Sequence, residues 1–251
     1  MHITRIEVLP RKKNRIYIDG EYAFMLYDRD MGSYHIEHYS AGDNEDGYDT
    51  DIEITEELYD RIMKETVIRR AHQKALAMLE RMDRTETELR RKMKLDQYSE
   101  AVTDETIEWL KCQHYLDDKR YAESFIRSHI ESSSRQELFS KLLVKGVAKD
   151  VISEAYEICC EDTAFSGRKN ETAQNDNRGS GYGPDHNEDV NIEKQAAVKS
   201  LRKKLGSKTM LTPKERINAI AYMLRKGFRR NDIISAFDEL GISIDYENLP
   251  D

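Results

Sequence analysis

The chain predicts a mainly α-helical protein of tandem three-helix repeats, preceded by a small antiparallel three-stranded β meander. Three observations carry that prediction. Apolar residues recur at helical spacing from Leu58 onward, hydroxyl-x-x-Glu cap signatures punctuate them, and the segment LLVKGVAKDVISEAY from Leu142 matches MLRKGFRRNDIISAF from Met223. In that match Gly146 aligns with Gly227, Ile152 with Ile233 and Ala155 with Ala236.

At the N-terminus Ile6 and Val8, then Ile16 and Ile18, then Tyr22, Phe24 and Leu26 alternate with polar neighbours, the period of strands. Asp19-Gly20 is a two-residue hairpin turn, since both residues accept positive φ, and Lys12-Lys13-Asn14 makes the other turn. A sheet this small is expected to rest its apolar face on the helices that follow. Between Asp43 and Glu57 stand eight acids and no Lys or Arg, read as a solvated acidic loop closing a 1–54 unit. The ligand order of an EF-hand is missing there, and His35-x-x-His38 lacks a third ligand, so no metal is expected.

Thr55 caps the first long helical stretch, where Leu58, Ile62, Val67, Ala71, Ala75, Leu79 and Met82 form one stripe. Thr85 with Glu88 has the spacing of a reciprocal cap, and Leu89 and Met93 continue the stripe. Thr103, followed by Asp104 and Glu105, is expected to start the next helix, and Asp117-Asp118 the one after, with Tyr115 and Leu116 in the core. These helices make up a first repeat over 55–116. The second repeat, 117–161, has Tyr121, Ala122, Phe125, Ile126 and Ile130 on its first helix, a Ser134/Glu137 cap on its second, which ends at Gly146, and Ile152, Ala155, Tyr156 and Cys159 on its third. Asp162–Asn191 is rich in Gly, Asn, Asp and Ser and reads as a disordered polar linker. The third repeat, 192–251, has Thr212-Pro213-x-Glu215 opening its second helix.

Composition sets limits on function. With 38% hydrophobic and 35% charged residues the chain is lean, suited to thin helical layers in an elongated, curved array rather than one thick core. The net charge of −8 argues against nucleic-acid binding through overall charge. No apolar run spans a bilayer, the N-terminus lacks the apolar core of a signal peptide, and Cys112, Cys159 and Cys160 form neither a disulfide framework nor a zinc motif, so a cytoplasmic, membrane-free monomer with reduced thiols is expected. The phosphate-binding, nucleophile-elbow and paired-His metal motifs are all missing, and the reading is of a non-enzyme without cofactors.

Cations cluster where amphipathic helices leave them outside: Arg81, Arg84, Arg90, Arg91, Lys92 and Lys94 in the first repeat, and Lys199, Arg202, Lys203, Lys204, Arg225, Lys226, Arg229 and Arg230 in the third. Their alternative role is to solvate helix backs and favour helix C-terminal dipoles.

Arg81-x-x-Arg84-Thr85-x-x-Glu88-Leu89-x-x-Lys92-Met93 and Tyr115-Leu116-Asp117-Asp118-x-Arg120-Tyr121-Ala122 together resemble the RecX family of RecA modulators. The resemblance runs from about Thr55 to Leu240, leaving out the polar insert. It departs in two places: His114 stands where the family usually has Gly, and Ser132-Ser133-Ser134 where it often has a cation before Gly. The resemblance implies a regulator of homologous recombination and DNA repair that lies in the groove of the RecA filament on single-stranded DNA. Such proteins restrain its ATPase, strand-exchange and co-protease activities. Arg81, Arg84, Arg90, Arg91, Lys92, Lys94, Arg202, Lys203, Arg225, Lys226, Arg229 and Arg230 are the candidate contacts to filament or DNA phosphate. The alternative is a helical nucleic-acid-binding protein that competes for single-stranded DNA, with direct DNA contact as its means.

Overall fold

The computed structural model describes residues 1–36, 47–171 and 186–244. His38 and the acids at 43–46 lie outside the described residues, as does 172–185, the middle of the expected linker. By its contacts the chain divides into two units, Met1–Asp117 and Asp118–Asp251.

The first unit opens with β1 (His2–Leu9), β2 (Lys13–Ile18) and β3 (Glu21–Tyr27). Asp19 (φ 50°) and Gly20 (φ 88°) turn the β2–β3 hairpin with both residues left-handed, as the two-residue loop requires. After the short helix α1 (Asp28–Ser33) comes a strand that the sequence pattern did not disclose. β4 (Tyr48–Glu53) pairs antiparallel with β1, so in place of the expected three-stranded meander there is a four-stranded antiparallel sheet in the order β3-β2-β1-β4. The acids hid it: Asp49, Asp51 and Glu53 take the outward positions of a period-two strand while Tyr48, Thr50 and Ile52 alternate with them. Two of those acids find partners on β1, Asp49 with Arg5 at 3.2 Å and Asp51 with His2 Nδ1 at 2.7 Å. Gly47 lets β4 approach, since a Cβ there would lie 2.5 Å from the Ile6 carbonyl oxygen.

Helix α2 (Glu56–Ile62) starts where Thr55 Oγ1 accepts from the Leu58 amide, then passes through a π-helical turn (Met63–Ile68) into α3 (Arg69–Arg81). Helices α4 (Glu86–Leu95) and α5 (Glu100–Cys112) complete the triplet. Thr85 Oγ1 caps α4 by accepting from the Glu88 amide at 3.2 Å. The cap of α5 is Ser99, not Thr103: Ser99 Oγ accepts from the Val102 amide, and Thr103, a turn inside the helix, donates back to the Ser99 carbonyl. Ile3, Ile6, Ile16, Phe24 and Leu26 of the sheet share one core with Ile62, Ala71, Leu89, Met93, Ile107 and Leu110 of the helices. Leu116 joins that core, whereas Tyr115, expected beside it, is 52% exposed with its ring 6.2 Å from Trp109.

Polar ties lock sheet to helices. Arg70 forks onto both carboxylate oxygens of Asp30, and the Tyr27 amide donates to the same carboxylate. Burial alone would push the Asp30 carboxyl up; the Arg70 hydrogen bonds, the amide and the Arg70 charge outweigh it and hold the pKa below the ordinary value. Arg15 Nε donates to Gln97 Oε1 at 3.0 Å and the Tyr22 hydroxyl to the Gln97 carbonyl, fixing the turn after α4 to the hairpin.

The second unit holds two triplets, α6 (Asp118–His129), α7 (Arg135–Val144) and α8 (Lys149–Glu171), then α9 (His186–Leu205), α10 (Pro213–Arg225) and α11 (Arg230–Glu239), with a two-residue parallel pair β5 (Met210–Leu211) and β6 (Ser243–Ile244). Each triplet has its own core, Ala122, Ile126, Leu138, Leu142, Ile152 and Tyr156 in one, Leu201, Leu211, Met223, Ile233 and Phe237 in the other. Helix enters the expected linker from both sides, α8 running on to Glu171 and α9 beginning at His186. Extending a formed helix fixes one residue per hydrogen bond and needs no new nucleus, so polarity alone does not stop it.

Candidate cationic groove on α3 and α4

Lys74, Ala77, Met78 and Arg81 fall at i, i+3, i+4 and i+7 on α3, so they share one face. Across the turn at 82–85, Arg84 and, on α4, Lys92 and Leu95 face the same space, a cavity of about 400 Å³ also lined by Asp96. Four cations line it against a single acid, and that acid is held by Lys74 at 3.3 Å. Arg84 is half-buried, and its Nε is enclosed without a hydrogen-bond partner. A buried donor left unmade costs ~1–3 kcal/mol; that atom is sealed from solvent, and what Arg84 adds to the groove lining is its charge.

Of the six first-repeat cations singled out from sequence, the fold gathers three, Arg81, Arg84 and Lys92. Arg91 and Lys94 stand exposed on α4, away from the cavity lining. Arg90 instead braces α4 against α5, with Nε donating to Glu86 at 2.7 Å and Nη1 bonding Asp104 on α5. Lys111 reaches Glu86 at 2.8 Å; burial raises the Glu86 carboxyl, but Lys111 and Arg90 outweigh it and keep its pKa low. Lys74 went unnoticed in the sequence because it precedes the motif by two turns. Its signal was the seven-residue step to Arg81 on a helix already predicted.

The third-repeat candidates form a looser group. Arg202, Lys203, Arg225, Arg229 and Arg230 are exposed, Arg202 and Lys203 in the last turn of α9 and Arg225 in that of α10, where cations also favour the helix dipole. Lys204 and Lys226 lie 5.0 and 5.6 Å from the centre of the Tyr222 ring, which brings the ends of α9 and α10 together. Lys226 is committed further, at 3.4 Å from Glu137 and 3.5 Å from Ser200 Oγ. Arg229, although 73% exposed, has Nε 3.9 Å from Glu193. Lys199 pairs with Glu131 at 2.6 Å.

Among the described residues there is no group of three His, Cys, Asp or Glu side chains placed to hold a metal ion, and no helix long and apolar enough to cross a membrane. Cys159 and Cys160 are buried and Cys112 is exposed, all as free thiols; burial pushes the Cys159 thiol up, making it a poorer nucleophile.

Comparison with known proteins gives the motif a wider setting. The family model for the first three-helix domain of RecX matches residues 71–110, and that for the second matches 117–155. The regulatory protein RecX of Clostridium beijerinckii is 30% identical over 154 residues, 61% of this chain and 67% of the relative. That of Caldanaerobacter subterraneus subsp. tengcongensis is 31% identical over 161 residues, 62% of this chain and 75% of the relative. A crystal structure of regulatory protein RecX superposes with a TM-score of 0.50 at 20% identity, covering 94% of this chain and 98% of its own, a likeness of fold. With both three-helix signatures matched and relatives this similar over two thirds or more of their length, the chain belongs to the RecX family.

Proposed function

We propose that this protein is a non-enzymatic regulator of RecA that binds the RecA filament on single-stranded DNA and restrains its ATP hydrolysis, strand exchange and co-protease activity. The observation that carries this reading is the convergence of the motif cations Arg81, Arg84 and Lys92 on one open groove in a chain of the RecX family. Three small helical triplets, the first sharing its core with the sheet, suit a protein that lies along a periodic partner and touches several of its subunits. In this reading the groove is the main contact, and Arg202, Lys203, Arg225, Arg229 and Arg230 add a second.

The test titrates the purified protein into RecA, single-stranded DNA and ATP. Substoichiometric protein is expected to slow hydrolysis, and the combined Arg81→Gln, Arg84→Gln and Lys92→Gln variant to lose most of that effect. Inhibition that survives these changes removes the groove from the contact. Competition for DNA predicts something else: binding to naked oligonucleotide without RecA, with affinity falling log-linearly and steeply in salt. The net charge of −8 opposes that outcome.

A further inference from the structure

We propose that the α3–α4 groove is a docking site for a peptide segment carrying an acidic residue beside an apolar one. The inference deepens the regulator reading, on which it rests in taking Arg81, Arg84 and Lys92 as contact residues. Charge alone does not choose between a carboxylate and a phosphate: four cations face one acid, already paired with Lys74. The apolar part of the site does choose. Ala77, Met78 and Leu95 lie between the cations, Leu95 is 75% exposed, and Met82, on the adjoining turn, is 62% exposed. A single strand covers protein surface with bases that stack on aromatic rings, and among the described residues no aromatic side chain lines this groove; leaving the aliphatic side chains wet forgoes ~25 cal/mol for each Å² of apolar surface. A peptide with Asp or Glu next to Leu, Met or Phe satisfies the guanidinium and covers Leu95 in one pose, the way buried anchors and rimming charges combine in interfaces. A cavity of about 400 Å³ is in the range that admits small groups, so the occupant is a short segment and not a folded surface.

The probe is a fluorescein-labelled peptide, GSDLEFDGS, titrated with the full 251-residue chain and followed by anisotropy. Two companions separate its ingredients, GSNLQFNGS without charge and GSDGEGDGS without apolar residues. The first peptide is expected to bind and each companion to bind about tenfold more weakly or worse, the scale of one charge-assisted hydrogen bond. Arg84→Ala should weaken the first peptide by about the same factor, and Lys149→Ala, at an exposed residue of α8 outside the groove, should leave it unchanged. Should Arg84→Ala disturb the fold by circular dichroism, Arg84→Lys serves instead, keeping the charge but losing the planar fork.

Binding indifferent to Arg84, or equal binding of GSDGEGDGS, overturns the proposal. So does displacement of the peptide by oligothymidylate that itself binds more tightly and depends on Arg84, which would make the groove a phosphate site. RecA-dependent ATP hydrolysis measured on the same preparations keeps the two readings apart. Wild-type protein that slows RecA yet binds no peptide sinks this inference alone, and Arg84-dependent peptide binding by a protein without effect on RecA sinks the regulator reading alone.

Discussion

His72 sets its ring flat against Trp109, with centroids 4.1 Å apart and planes 7° from parallel, and its Nε2 is enclosed without a partner. Burial depresses its pKa below the ordinary 6.5, with the charge of Glu105 pulling the other way. Where the folded pKa is depressed, the unfolded chain binds the proton first as pH falls. The stability associated with the neutral ring is therefore fully present above pH 6.5 and is eroded as pH drops from there through the folded pKa. Urea unfolding at pH 7.5 and pH 5.5 should show the wild type weaker at the lower pH and His72→Phe with a smaller difference. An NMR titration of the His72 C2 proton with a midpoint at or above 6.5 would refute this linkage. This half-buried stack is not legible in the sequence, since a lone histidine in a helix carries no sign of what it faces.

Helix ends account for much of what could be read in advance. Among the described residues six helices stop through a left-handed residue with one hydrogen-bond pattern: His35 after α1, Gln97 after α4, His114 after α5, Gly146 after α7, Gly227 after α10 and Gly241 after α11. At each, the left-handed amide donates back three residues and the following amide five, as in Gly227 N to Leu224 O at 2.9 Å and Phe228 N to Met223 O at 3.2 Å. His114, which departs from the family Gly, adopts φ 58° all the same, its amide donating to Lys111 and that of Tyr115 to Leu110. The glycines thus marked real ends, and a non-glycine end such as Gln97 was invisible because tertiary bonds from Arg15 and Tyr22 fix it. Gly227 and Gly241, both in the last triplet, should differ when a methyl group is added. Gly241 (φ 60°) has open space around it, so Gly241→Ala is expected to cost about 1 kcal/mol for backbone strain. At Gly227 (φ 85°) the new Cβ would sit 2.7 Å from Gln136 Cβ and 3.0 Å from Ser134 Oγ. Gly227→Ala should therefore cost about 2–4 kcal/mol, strain plus overpacking, in chemical denaturation. Equal costs at the two sites would mean that the α7–α10 contact yields freely.

That contact decides how far cooperativity extends through residues 118–251. The match of Leu142–Tyr156 to Met223–Phe237 disclosed two similar triplets, but no pattern within either disclosed what joins them, because the joint is a polar contact between residues distant in the chain. Ser134 Oγ, fully buried, accepts from the Glu137 amide at 3.1 Å to cap α7 and donates to the Lys226 carbonyl at the end of α10. Lys226 Nζ returns to Glu137 at 3.4 Å, and the Arg135 amide donates to Glu193 of α9 at 3.3 Å. The negative end of one helix dipole thereby meets the positive end of another. Ile192 of α9 also lies in the core of the preceding triplet. Ser134→Ala removes a cap and a buried carbonyl's partner together, about 2 kcal/mol, whereas Thr55→Ala, at a site with the cap bond to Leu58, removes about 1 kcal/mol. If the joint makes one cooperative body of the two triplets, Ser134→Ala should lower amide-exchange protection in α7 and α10 by similar amounts, although no side chain of α10 has changed. Protection lost from α7 and kept in α10 would show instead that each triplet opens on its own core, with the joint adding orientation but little stability.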